Sequence, residues 1–101
     1  MQQAFGSISG SDGSILSGSG NFSVSKTGQG SFTITLQGSS SMTPVVTTSV
    51  ADPYMTAAVQ ISSTNGGGGR QPSFTVRTGY VDQGSKNPMD IYVFSFIAVW
   101  N

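Results

Sequence analysis

FSVSKTGQGSFTITLQ, residues 22–37, is the stretch that decides the fold. Its second half alternates Phe32, Ile34 and Leu36 with Ser31, Thr33 and Thr35. A strand sends successive side chains to opposite faces, so this period of two places three apolar groups on one side and three hydroxyls on the other. FSVSK repeats the pattern with Phe22 and Val24, and Lys26-Thr27-Gly28-Gln29-Gly30 between the two runs is a turn. Together they predict a β-hairpin with its Ser and Thr residues outward.

Working outward, the same alternation recurs on both sides. Toward the N-terminus, Phe5 and Ile8 precede the Gly/Ser-rich stretch GSDGSILSGSGN, in which Asp12-Gly13 marks a tight turn. Residues 1–20 read as an ordered but weak ribbon punctuated by Ile8, Ile15 and Leu16. Toward the C-terminus, GSSSMTP closes at Pro44, and VVTTSV follows with Val46 and Val50 on one face and Thr48 between them. ADPY is a turn at Pro53. TAAVQISS then carries Val59 and Ile61, and SFTVRTGY carries Phe74 and Val76 opposite Thr75 and Arg77. STNGGGGRQP between those two segments reads as the most flexible part of the chain, and VDQGSKNPMD as a second loop. Residues 1–101 are expected to form one all-β domain, an antiparallel β-sandwich of about six to eight short strands. Its expected core includes Phe22, Val24, Phe32, Ile34, Leu36, Val46, Val59, Ile61, Phe74 and Val76.

Composition removes several function classes. Charged residues make up 8% of the chain, against about 25% in ordinary soluble domains. Lys26, Arg70, Arg77 and Lys86 balance Asp12, Asp52, Asp82 and Asp90. No basic patch is available to neutralise a phosphate backbone, which argues against nucleic acid. With no histidine and no cysteine, the usual nucleophile–base pairs and zinc sites cannot be assembled. All four aspartates fall in predicted turns, where Asp normally bonds its own backbone. Gly66 to Gly69 lacks the Lys-Ser/Thr and the helix of a phosphate loop. The reading is of a non-enzymatic protein with no catalytic residues, no metal and no cofactor. MQQAFGSISG lacks the features of a signal peptide. The apolar C-terminal run is half the roughly 20 residues of a membrane-spanning helix, so no membrane insertion is expected.

That run is IYVFSFIAVW, residues 91–100. One face carries Ile91, Val93, Ile97 and Val99 with Ser95 among them, and the other carries Tyr92, Phe94, Phe96, Ala98 and Trp100. A small domain has one core, so a second apolar face needs a cover from a loop of the same chain or from another subunit. Four aromatics amount to several hundred Å² of apolar surface, on the order of 10 kcal/mol if fully buried. That area favours self-association, with Tyr92, Phe94, Phe96 and Trp100 as the expected subunit interface. A separate set, Tyr54, Arg70, Tyr80 and Asp82, lies in or beside the longest loops. Aromatics beside hydrogen-bonding groups suit sugar rings, which makes these four the candidate ligand contacts.

As a whole, GSISGSDGSILSGSGNFSVSKTGQGSFTITLQG, then TPVV, TAAVQIS, SFTVRT and FSFIAV resemble the terminal domains of bacteriophage tail fibres and tailspikes. Those are similar in layout to the H-type lectin sandwiches, which are six-stranded and trimeric. The resemblance covers nearly the whole chain and implies a homotrimeric sandwich in a virion. A chain that is all domain from Met1, with no fibre shaft, points to the three-fold positions of a capsid, where a trimer fits by symmetry. The implied role is a decoration (cement) protein on the outer capsid surface, bound to the major capsid protein and stabilising the head. The alternative is a tail-fibre tip or H-type-like lectin that binds host cell-surface glycan.

Overall fold

A computed structural model of the chain describes residues 1–83 and 88–101. The described residues form eight strands: β1 (Gln2–Ser9), β2 (Ile15–Gly18), β3 (Phe22–Gly28), β4 (Ser31–Leu36), β5 (Val45–Ala51), β6 (Ala57–Gly67), β7 (Arg70–Tyr80) and β8 (Val93–Trp100). A single 3₁₀ turn, Val81–Gln83, follows β7, and no α-helix occurs among the described residues. The strands build two antiparallel four-stranded sheets, ordered β2-β1-β8-β5 and β3-β4-β7-β6. The expected all-β sandwich is thus present, and the hairpin expected over residues 22–37 is β3–β4, paired from Phe22↔Leu36 to Gly28↔Ser31.

The sheets are held face to face by one apolar cluster. Phe22, Phe32, Ile34, Leu36, Phe74 and Val76 come from the second sheet, and Ala4, Ile8, Phe94, Phe96, Ala98 and Trp100 from the first. Val24, Val46, Val59 and Ile61 pack against its margin. Three aromatic contacts cross between the sheets: Phe22–Phe96 at 4.9 Å, Phe32–Phe94 at 5.1 Å and Phe74–Phe96 at 5.2 Å between centroids. Tilted and edge-on pairs at these separations are favoured by the ring quadrupole. Room for the Phe22 ring comes from missing side chains on the facing sheet. A Cβ on Gly18 would approach Phe22 Cε1 to 2.9 Å, and one on Gly6 would overlap the same ring.

Two expectations are corrected here. Phe94, Phe96 and Trp100 are 0%, 2% and 2% exposed, so they fill the protomer's own core and offer nothing to a neighbouring subunit. The reason lies opposite them, where three phenylalanines line the facing sheet. Of the expected interface set only Tyr92 remains on the surface. Ile91, assigned to the aliphatic face, is also buried, just before β8 begins. The second correction concerns STNGGGGRQP. Strands β6 and β7 run through it as eleven-residue strands and turn at Gly68-Gly69. Both glycines have positive φ, 61° and 82°, the backbone that a two-residue hairpin loop demands and that glycine adopts without strain. The glycine run is a tight corner. Arg70 closes it, donating from Nε to the Gly67 carbonyl at 3.0 Å and from Nη2 to the Gly66 carbonyl at 3.1 Å.

Lys26 joins segments far apart in sequence. Its ammonium donates to the Ser11 carbonyl at 2.7 Å and to Asp90 Oδ2 at 2.8 Å, while Asp90 Oδ1 accepts the Gly30 N–H at 2.8 Å. Lys86, the fourth cation of the chain, lies outside the described residues.

Ile34 sits at the centre of the core, fully buried and paired with Val24 and Phe74. Truncating it leaves a cavity between rigid sheets. Ile34→Ala is expected to cost about 2–5 kcal/mol, read as a lower midpoint in urea with an unchanged slope.

Candidate functional site

The two sheets present unlike surfaces to their surroundings. On the second sheet the outward positions are Ser23, Ser25, Ser31, Thr33, Thr35, Ser73 and Thr75 with Gln60 and Arg77. Hydroxyls pair across it, with Thr75 Oγ1 2.5 Å from Ser62 Oγ and 2.7 Å from Ser63 Oγ. On the first sheet the register places Gln3, Val99 and Val45 in one outward row, Phe5, Ile97 and Thr47 in the next, then Ser7, Ser95 and Ser49, then Ser9, Val93 and Ala51. Phe5, Val45 and Ile97 are 51%, 62% and 57% exposed. None of these twelve residues is charged. Among themselves these residues make one side-chain hydrogen bond, Ser7 Oγ to Ser95 Oγ at 2.9 Å, and Ser9 Oγ reaches Ser11 Oγ at 3.0 Å. Parity causes this surface: because the aromatics of β8 fill the core, its aliphatic residues must face out.

A second feature lies at one end of the sandwich, where the β5–β6 turn meets the segments after β7 and before β8. Tyr54, Thr56, Tyr80, Asp82 and Met89 line an open cleft of about 370 Å³. Asp52 organises it. Its Oδ1 accepts the Tyr54 N–H at 2.8 Å, and its Oδ2 accepts the Tyr80 hydroxyl at 2.9 Å and the Tyr92 N–H at 2.8 Å. Tyr54 and Tyr80 meet edge to face, 6.0 Å between centroids. The Thr56 carbonyl accepts the Val81 N–H at 2.9 Å, and Met89 is held to Thr78 through its N–H at 2.9 Å and its carbonyl at 2.8 Å.

Partial burial pushes the Asp52 carboxyl up, but the Tyr54 and Tyr92 amides and the Tyr80 hydroxyl together hold it below the ordinary value of 3.8. The Tyr80 phenol is raised, by burial first and then by the Asp52 carboxylate that accepts its hydrogen bond. An anchored acceptor, two aromatic rings, a thioether and the Asp82 carboxylate at the rim make a partly apolar recess edged with hydrogen-bonding groups. No cation lines it.

Of the four residues singled out as ligand contacts, Tyr54, Tyr80 and Asp82 come together here. Arg70 does not, since it begins the strand that Tyr80 ends, about 30 Å away along an eleven-residue strand. The sequence reading passed over Thr56, Met89 and the organising role of Asp52. The Asp52-Pro53 turn signal marked the place but not the partners, because Tyr80 and Tyr92 reach it only through the fold. Among the described residues no group of three or more acidic, histidine or cysteine side chains gathers where a metal could sit. No protein-family model, curated protein or solved structure matches the chain.

Because Asp52 titrates below its ordinary value in the folded protein, its contribution to stability is fully present above about pH 5 and lost as pH falls through 3.8 toward the folded value. Asp52→Asn is therefore expected to lower the unfolding temperature at neutral pH, with the gap to wild type closing at about pH 2–3. Paired thermal melts at the two pH values check this.

Proposed function

We propose that the protein is a non-enzymatic structural component of a bacteriophage particle. In this reading it is a homotrimeric decoration (cement) protein on the outer capsid surface, bound to the major capsid protein and stabilising the head. The observation that carries the self-associating role is the contrast between the two sheet faces. Monomeric proteins rarely leave a contiguous apolar patch uncovered, and Phe5, Val45, Ile97 and Val99 form one on the first sheet while the second is covered in hydroxyls. Full burial of side chains of this kind contributes about 1.5–3 kcal/mol each, against which the entropy of association is set. A face without charge suits a copy of itself better than an acidic or basic partner. The phage setting rests on the resemblance carried by GSGNFSV, the GxGSFTI step and FSFIAV, and the three-fold stoichiometry on the sites a capsid offers to a trimer.

Sedimentation tests the assembly. Wild-type protein at micromolar concentration is expected to run as a trimer or as a multiple of one. Ile97→Asp is expected to give a smaller species with its strand dichroism intact, whereas Phe94→Asp, at a fully buried position, should unfold the protomer. A wild-type monomer ends this reading. Cosedimentation with empty heads then tests the capsid partner.

The cleft favours a second role, recognition of host cell-surface glycan by this same particle protein. Tyr54 is largely exposed and sits beside Asp82 and the anchored Tyr80. Aromatic surface edged by acceptors suits a sugar ring. Binding on a glycan array that is lost on Tyr54→Ala is the expected result. An array without signal removes this second role and leaves the first standing.

A further inference from the structure

Each open sandwich has four edge strands, and here three of them are blunted. Strand β2 is four residues long and bulged, since Ser7 pairs with Ser17 but Ile8 pairs with Ile15. Strand β3 carries Lys26 and a bulge between Lys26 and Gly28. Strand β6 has two irregularities, at Ile61/Ser63 and Asn65/Gly67. Short length, bulges and lysine are the devices that stop an edge from pairing with another chain.

Strand β5 has none of them. It pairs with β8 through seven successive positions, Val45↔Val99 to Ala51↔Val93, without a shift. It contains no charge and no proline. Among the described residues no backbone group pairs with its other side. Pro44 and Pro53 stand outside it, where they limit its length without interrupting it.

We propose that β5 pairs antiparallel with β5 of a second copy across a two-fold axis at Thr48, joining two four-stranded sheets into one of eight. The occupant follows from the sequence of the edge itself. VVTTSVA is close to palindromic about Thr48: in this register Thr48 faces Thr48 of the second copy, Thr47 faces Ser49, Val46 faces Val50 and Val45 faces Ala51. Hydroxyl meets hydroxyl and aliphatic meets aliphatic, the cross-strand pairs that stabilise antiparallel sheets. Sliding the register by two residues brings Pro53 against the ladder and removes the match. An uncharged edge has nothing with which to select a charged foreign segment. Such a contact is isologous and therefore closes at two copies. It uses the backbone of the edge, whereas the trimeric contact proposed above uses side chains on the outer face of the sheet. The two contacts stand or fall separately.

The absence of cysteine from the chain makes the test direct. In the proposed register the two Thr48 Cα atoms lie about 4.5–5.5 Å apart, within the roughly 4.4–6.8 Å that a disulfide spans. Full-length Thr48→Cys under mild oxidation is expected to run mainly as a covalent dimer on a non-reducing gel, while Ser25→Cys on the hydroxyl face stays a single chain. Thr47→Cys and Ser49→Cys should each cross-link poorly alone, at about 7–8 Å diagonal separation, and well when mixed. Equal cross-linking of Thr48→Cys and Ser25→Cys overturns the pairing. Efficient self-linking of Thr47→Cys overturns the register. If Ile97→Asp abolishes the trimer while Thr48→Cys still dimerises, the edge contact holds independently of the face.

Discussion

Everything in this sandwich depends on which way β8 faces. It pairs on both sides, with β1 through eight positions and with β5 through seven, so its parity is tied to that of both neighbours. With Phe94, Phe96, Ala98 and Trp100 inward, Ala4, Gly6 and Ile8 of β1 must also point in, and Phe5 must point out. A one-residue slip would reverse all of them. The inward choice is fixed by volume: Phe22, Phe32 and Phe74 on the opposite sheet leave a space that rings fill and that Val93, Ile97 and Val99 would leave partly empty. The exposed aliphatic surface is the remainder of that choice.

This also marks the boundary of what the sequence made legible. Strands with one polar and one apolar face, such as β3, β4 and β7, could be placed and oriented from alternation alone, and their residues sit in or against the core as expected. Strand β8 could be placed but not oriented, because both its faces are apolar and the deciding residues belong to another sheet. The glycine run at Gly66–Gly69 was readable as a break. Its tight geometry was not, because that required the two strands beside it to be in register. Within the cleft, turn chemistry located Tyr54 and Asp52, but the β7 length that carries Arg70 away from Tyr80 emerges only from the complete ladder.

Charge is used sparingly, and mostly for construction. Asp12 caps the Ser14 amide and hydroxyl, Asp52 binds three groups from separate segments, and Lys26 with Asp90 pins the β1–β2 loop to the β3–β4 turn. Arg70 is spent on carbonyls of its own hairpin. Little charge is left to discourage contact, and the surface differs from place to place chiefly in its density of hydroxyls and methyl groups. Such a surface is suited to packing among other proteins, where desolvating ions would be costly.

The pairing of β1 with β8 has a consequence for how the chain reaches this state. The Ser7–Ser95 contact spans 88 residues, and every position of β1 pairs with β8. During synthesis the first strand therefore waits for β8, which leaves the ribosome long after it. The β3–β4 and β6–β7 hairpins can close early, but the other sheet has no centre until β8 arrives. Contacts this distant in sequence slow folding, and meanwhile the aromatic sides of both sheets are open to water and to other nascent chains. A protein made in many copies at once would meet this hazard at its greatest, and rapid closure of the two local hairpins is the chain's own means of limiting it.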